Sequence, residues 1–174
     1  RVPPSGADNH LVYTTDDFRG VDFGFRDVID ITGKLCFTSI LKYRASLEMA
    51  ELLEIEGRKA EAAKYLETAS LIKTAIPVFF LDQRGMLRAS TGKSNQPDVW
   101  STAFAIHLNI LPDADSEKAC RFLAESYKKG YLAYKGNIRH VLTCDDFNDS
   151  TSWESSLVVK NTYQNGAYWG TPAG

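Results

Sequence analysis

Four segments of the chain show the spacing of apolar residues that is typical of amphipathic helices, and they fall into two consecutive pairs. The first pair covers residues 32–57 and 58–77, and the second covers residues 98–111 and 117–129. Apolar side chains recur every three or four residues in each segment, so they share one side of a helix. The first and third segments have the broader apolar faces. The pattern therefore predicts two helical hairpins, each with a buried helix followed by a more solvated one.

Single residues predict where these helices end. Gly57 suits the C-terminal cap of the first helix, and Pro77 is expected to kink or end the second because it lacks a backbone N–H. Asp98 is well placed for the dipole at the start of the third. The apolar side of the third helix is predicted as Val99, Ala103, Ile106 and Ile110. That of the fourth is predicted as Cys120, Leu123, Ala124 and Tyr127.

Short strand-like pieces and loops are expected outside the helices. Residues 1–31 contain several prolines and glycines without a helical period, which is typical of ordered loop with a short strand. Residues 86–90 indicate a short strand, and similar pieces follow Tyr131. The sequence thus predicts a mainly α fold, with short β pieces and long loops, in a single domain over residues 1–174.

Composition and charge narrow the classes of partner. Lys and Arg total 20 against 22 Asp and Glu, a formal net charge of −2, so no basic surplus favours nucleic acid or an anionic membrane. The longest apolar runs are too short to span a bilayer. The 3 cysteines are odd in number, which favours reduced or buried thiols over a disulfide framework.

No motif for a cofactor or metal is recognised. His10, His107 and His140 lack metal-ligand spacing, and residues 90–94 lack the first glycine of a phosphate-binding loop. His107 lies in an apolar helix and is expected to be a hydrogen-bonded core histidine. His140 follows Arg139 in a loop or edge strand, so both are predicted to contact a ligand.

A stretch near the C-terminus combines aromatic rings, side-chain amides and glycines. It reads Asn161-Thr162-Tyr163-Gln164-Asn165-Gly166-Ala167-Tyr168-Trp169-Gly170-Thr171-Pro172. Aromatic faces can stack on the C–H faces of sugars, and amides both donate and accept hydrogen bonds to hydroxyls. The predicted sugar contacts are Tyr163, Gln164, Asn165, Tyr168 and Trp169. The alternative is a turn-rich loop whose rings cover the end of a helical core.

Three carboxylates next to aromatic residues are candidate catalytic groups. Asp22 and Asp27 flank an aromatic and glycine-rich element, and Glu154 follows Trp153. An acid among aromatic rings loses hydration, which raises its pKa toward that of a general acid, whereas Arg26 would oppose the shift. Two such acids about 6.5–9.5 Å apart would suit inverting glycoside hydrolysis. The alternative is that these acids cap helices or pair with Arg26.

A series of short motifs occurs in a recognisable order along nearly the whole chain from Asp22. They are Asp22-Phe23-Gly24-Phe25-Arg26-Asp27, Thr32-Gly33, Glu61-Ala62-Ala63-Lys64-Tyr65, Phe80-Leu81-Asp82, Gly85-Met86-Leu87, Pro97-Asp98-Val99-Trp100-Ser101-Thr102-Ala103, Ile138-Arg139-His140-Val141 and Tyr163-Gln164-Asn165-Gly166-Ala167-Tyr168-Trp169. Together they resemble the six-hairpin glycosidases, and especially their trehalase-like and processing-glucosidase-like branches.

The resemblance implies an (α/α)6 toroid that binds and hydrolyses a neutral glycan. It implies an acid just before an inner helix, which maps onto Asp22 or Asp27. The base comes from a later segment, either Glu154 or a residue beyond Gly174. Trp100, at the start of the third helix, joins the expected substrate contacts. Neither a cofactor nor a metal is implied.

The chain length implies only an arc of such a toroid. Twelve helices need about twice the residues present here, at ordinary helix and loop lengths. We therefore expect a fragment of a larger catalytic domain, whose exposed inner helix faces are covered by the remainder of the toroid or by a second copy.

Two other functions compete with glycoside hydrolysis. A sugar isomerase or epimerase on a similar toroid would use His140 as a proton shuttle. A non-catalytic helical-hairpin module would bind a protein. In that module the aromatic stretch around Trp169 would have no role.

Overall fold

The structure is a computed structural model that describes residues 9–15, 29–145, 155–163 and 165–170. Within these residues the protein is mainly α, as predicted. The helices are α1 (Cys36–Ile55), α2 (Lys59–Phe80), α3 (Val99–His107) and α4 (Asp113–Lys128). The strands are β1 (Tyr13–Thr14), β2 (Ile29–Asp30), β3 (Gly33–Lys34), β4 (Ala133–Tyr134), β5 (Asn137–Ile138) and β6 (Ser155–Ser156). They pair as β1–β3, β2–β6 and β4–β5, all antiparallel.

Helices α1 and α2 form the predicted hairpin around a tight turn. Gly57 follows the last turn of α1 with a φ of 78°, and its N–H donates to the Glu54 carbonyl at 2.9 Å. A left-handed residue there closes the helix end, which explains the glycine. The prediction that α1 ends at Gly57 is confirmed. The helix starts at Cys36 rather than Thr32, because Gly33 and Lys34 pair with β1.

Pro77 was predicted to kink or end α2, and the second alternative is wrong because the helix continues to Phe80. Pro77 removes one helical hydrogen bond, but Ile76 and Phe80 on either side of it are fully buried. They belong to the main core, which α1, α2 and α3 share. Burial of these two side chains offsets the missing backbone bond.

The second pair of helices differs from the prediction in its boundaries and in its packing, because α3 packs on α1 rather than forming a close hairpin with α4. Helix α3 ends at His107 rather than Leu111, and Asn109 then adopts a left-handed φ of 52°. That turn still buries Ile110 and Leu111. Helix α4 starts at Asp113, about one turn before the predicted Glu117.

The predicted buried side of α4 is also wrong in part. Cys120, Ala124 and Tyr127 are exposed, whereas Ala119 and Ser126 are buried. Helix α4 packs on the turn at Gly85, where an ideal Cβ on that glycine would lie 2.7 Å from the Asp115 carbonyl oxygen and 2.9 Å from the Ala119 nitrogen. Only small residues permit so close an approach, so Ala119 rather than Cys120 faces the turn.

A stripe along α1 that was expected to be packed faces solvent instead. Leu41, Met49 and Leu52 are 39%, 41% and 59% exposed, and Ala45 between them is also exposed. We call these four residues the α1 stripe. His107, expected in the core, is exposed as well. The described part of the chain thus covers one face of α1 and leaves the opposite apolar face open.

Arg84 connects the turn after α2 to the segment after β5. Its guanidinium donates to Asp82 at 2.9 Å and to both oxygens of Asp145 at 2.7 and 3.0 Å. It also lies 4.9 Å from the centre of the Phe122 ring on α4. Desolvation lowers the pKa of Arg84, but the hydrogen bonds that it donates to Asp145 and Asp82, together with their negative charges, outweigh that effect and raise the pKa.

All three cysteines lie among the described residues. Cys36 is buried, Cys120 and Cys144 are exposed, and all three are free thiols. None of the described helices combines the length and apolar character needed to cross a membrane.

Candidate functional site

The C-terminal aromatic stretch lies against the β4–β5 hairpin. Lys135 and Gly136 turn that hairpin with positive φ values of 48° and 78°, as a two-residue hairpin turn requires. Ile138 then exchanges two backbone hydrogen bonds with Trp169, at 2.8 and 2.9 Å. Residues 161–163 and 165–170, which we call the aromatic loop, are therefore held beside β5.

Backbone hydrogen bonds fold the aromatic loop on itself. Asn161 N–H donates to the Asn165 carbonyl at 2.7 Å, and Asn165 N–H donates to the Thr162 carbonyl at 2.9 Å. Tyr163 and Gly166 have left-handed φ values of 44° and 95°. Such a φ is costly for an aromatic residue, so Tyr163 keeps it only because its surroundings fix it.

The pairing with β5 divides the aromatic residues between two sides. Side chains alternate along paired strands, so Ile138 and Trp169 share one side and Arg139 and Tyr168 share the other. We call these the Trp169 side and the Arg139 side. The predicted sugar-contacting residues therefore do not form one continuous surface.

The Trp169 side carries a stack of rings on the start of α3. Tyr163 and Trp169 have ring centres 5.1 Å apart, and Trp169 packs edge to face on Trp100 at 6.5 Å. The Trp169 indole N–H donates to the Tyr163 carbonyl at 3.2 Å. Tyr163 is 45% exposed, whereas Trp100 is 9% exposed. Trp100 thus supports the Trp169 ring, which in turn contacts Tyr163.

His140 lies deeper than a ligand contact was expected to lie. Its side chain is 1% exposed, and its ring centre is 5.1 Å from that of Trp100. Its carbonyl accepts a hydrogen bond from Val99 N–H at 2.7 Å. His140 therefore joins β5 to the first turn of α3.

Asp98 fixes the direction in which α3 begins. Its carboxylate is fully buried and accepts from the N–H of Trp100 at 3.0 Å and of Ser101 at 3.4 Å. It also accepts from the Ser101 hydroxyl at 2.8 Å. This is an N-cap, in which a side-chain oxygen satisfies the free donors of the first helical turn. Asp98 therefore positions Trp100 beneath Trp169.

On the Arg139 side, a buried guanidinium holds the aromatic loop. Arg139 is 4% exposed, and it donates to the Gly166 carbonyl at 2.6 Å and to Asn161 Oδ1 at 2.8 Å. The Tyr168 ring lies over it at 5.7 Å, and Tyr168 also packs on Tyr134 at 5.9 Å. Sequence reasoning missed Tyr134 and Asn161, because only the strand pairing brings them here.

The remaining predicted site residues are placed as follows. Asn165 is 8% exposed and donates from its side-chain amide to the Val158 carbonyl at 2.8 Å. Asp22, Asp27, Glu154 and Gln164 lie outside the described residues. Among the residues that are described, no group of three His, Cys, Asp or Glu side chains is suited to a metal ion.

Comparison with known proteins yields no relative. The chain matches no family model, no curated protein and no solved structure.

Proposed function

We propose that the protein binds a neutral glycan on the Trp169 side of the aromatic loop, as part of a glycoside hydrolase. The observation that carries this proposal is that the Trp169 ring packs on Trp100 and also contacts the Tyr163 ring. Rings held rigidly from behind, with Tyr163 open to solvent, suit stacking on a sugar face. Rigid support also lowers the entropy lost on binding.

The proposal includes a helical toroid of the six-hairpin type, of which this chain is an arc. The α1–α2 hairpin and the open α1 stripe support it, because an inner helix of a ring needs neighbours on both sides. Asp22 or Asp27 is the proposed acid and Glu154 the proposed base of an inverting hydrolysis. Hydrolysis assays on Asp22→Asn, Asp27→Asn and Glu154→Gln test those roles.

Replacing Trp169 with alanine is expected to weaken sugar binding about two- to tenfold, since one stacked ring contributes roughly 0.5–1.5 kcal/mol. The measurement is isothermal titration calorimetry with a panel of neutral mono- and disaccharides. Tryptophan fluorescence of Tyr163→Ala, which keeps every indole, provides a second reading of the same site.

Tyr127→Ala is the matched control, because Tyr127 is 65% exposed on α4 and has no place in the proposal. Its affinity is expected to equal that of the unchanged protein. Equal binding by Trp169→Ala, or binding by no sugar of the panel, would contradict the proposed site.

The α1 stripe supports a proposal about partners, which is that a helix of a second copy or of the rest of the toroid covers it. Exposed apolar side chains in a row are typical of an interface.

If copies of the chain associate through the α1 stripe, Leu52→Glu is expected to shift the protein to monomer in sedimentation velocity, because the substitution buries a charge in the contact. Val78 is 75% exposed on α2, and Val78→Glu is the control, which is expected to leave the oligomeric state unchanged. A monomer at every concentration would contradict self-association.

The competing functions have less support. A sugar isomerase would need His140 at the substrate, and that ring is 1% exposed. A protein-binding module is compatible with the α1 stripe, but it assigns no role to the rings that Trp100 supports.

A further inference from the structure

We propose that Arg139 is a positioning residue, which shapes the aromatic loop for a sugar without touching it. This inference rests on the proposed function, because the loop is there the sugar-binding element. It revises the prediction that Arg139 itself contacts the ligand.

The hydrogen bonds of Arg139 connect separate parts of the aromatic loop. Nε donates to the carbonyl of Gly166, and Nη2 donates to the side chain of Asn161. Both of these residues have left-handed φ values, 95° and 67°. One side chain thus holds the two turns between which Tyr163 lies.

Arginine suits this task because its guanidinium presents several donors in a fixed plane. A lysine ammonium is a point charge and cannot span both acceptors in the same geometry. Among the described residues, the two polar acceptors of Arg139 are neutral, and the Tyr168 ring lies over the charge. The carbonyl and the amide oxygen that the loop supplies therefore help to offset the cost of burying that charge.

Because Arg139 is buried, it can hold the aromatic loop without contacting a sugar that is bound at the Trp169 side. Arg139 is 4% exposed as a residue and lies on the opposite side of the strand pair from Trp169. A sugar stacked on Tyr163 and Trp169 would therefore contact these two rings and not Arg139. Arg139 would affect the sugar only through the positions of the rings.

Hydrogen exchange of the loop amides tests this role independently of sugar. In Arg139→Ala the N–H groups of Asn165 and Ala167, which bond to Thr162 and Tyr163 within the loop, are expected to exchange at least about tenfold faster. The affinity for sugar is expected to fall in the same variant. Arg121→Ala, an exposed arginine on α4, is the control and is expected to change neither.

Three further variants keep the test decisive if Arg139→Ala unfolds. Arg139→Lys is expected to behave like Arg139→Ala. Asn161→Gly keeps the left-handed backbone and removes Oδ1, so it is expected to speed exchange to a smaller extent. Asn161→Asp places a carboxylate against the guanidinium and is expected to preserve or slow exchange.

Added guanidinium distinguishes positioning from general destabilisation. At low, non-denaturing concentration it is expected to restore sugar affinity to Arg139→Ala by occupying the vacated space, and to leave Trp169→Ala unrestored. Unchanged loop exchange in both Arg139→Ala and Arg139→Lys would overturn the proposal, as would full sugar affinity in a variant whose loop amides exchange faster. If the unchanged protein binds no sugar, the proposed function fails, and a faster-exchanging loop would still support Arg139 as the residue that shapes it.

Discussion

Alanine at Phe80 is expected to lower the free energy of unfolding by about 3–5 kcal/mol, because a fully buried phenylalanine leaves a large cavity. Alanine at the adjacent Phe79 is expected to cost less than about 1 kcal/mol. Phe80 is 0% exposed, whereas Phe79 is 39% exposed and lies under the Lys34 ammonium at 4.6 Å. The two positions differ in burial and share residue type and helix.

Urea denaturation followed by circular dichroism measures both variants against the unchanged protein. The large effect at Phe80 has a second cause, since this side chain keeps the last turn of α2 helical beyond Pro77. Loss of the ring removes burial that offsets the missing backbone bond, so helical signal is expected to fall slightly in the folded state too. A loss of stability in Phe80→Ala that is as small as that expected for Phe79→Ala would show that the core does not depend on this end of α2.

The hairpin α1–α2 was predictable because its determinants are local. Apolar spacing specifies the helices, and Gly57 supplies a left-handed turn that few other residues adopt. Pro77 was misjudged for a tertiary reason. Its local cost is visible in the sequence, whereas the burial of Ile76 and Phe80 that offsets it depends on α1 and α3.

The face of α4 and the exposure of α1 depended on contacts that no local pattern encodes. Helix α4 offers two neighbouring apolar rows, and the close approach of Gly85 selects the row with Ala119. The α1 stripe has the pattern of a buried face, and the described residues include nothing that covers it. Periodicity therefore identified an apolar face and could not identify its neighbour.

The aromatic stretch was recognised by residue type, and its arrangement was not. Tyr163 and Trp169 do lie together, as ring contacts show. Tyr168 lies on the opposite side of the strand pair, because Trp169 pairs with Ile138. Such a register sets which side each ring takes. Arg139 and Asn161 are 22 residues apart, so their contact could not be predicted from the local sequence pattern.

Alanine at Asp98 is expected to lower the free energy of unfolding by about 2–3 kcal/mol, which combines loss of an N-cap with loss of a charge-assisted bond to a buried hydroxyl. The carboxylate accepts from Trp100 N–H, Ser101 N–H and Ser101 Oγ. Alanine leaves these donors in a buried place without their acceptor. Asp98→Asn keeps one acceptor oxygen and is expected to cost about 1 kcal/mol.

Asp113→Ala is the control, since Asp113 is an exposed acid in the first turn of α4 and is expected to contribute under about 1 kcal/mol through the helix dipole. Urea denaturation measures stability, and near-ultraviolet circular dichroism reports the surroundings of the tryptophans. A change in the near-ultraviolet signal is expected only for the Asp98 variants, because Asp98 positions Trp100 beneath Trp169. Equal stability losses in Asp98→Ala and Asp113→Ala would show that Asp98 contributes no more than an exposed acid in the first turn of a helix. A larger loss at Asp98, together with weaker sugar binding, would connect the capping of α3 to the proposed glycan site through the Trp100 ring.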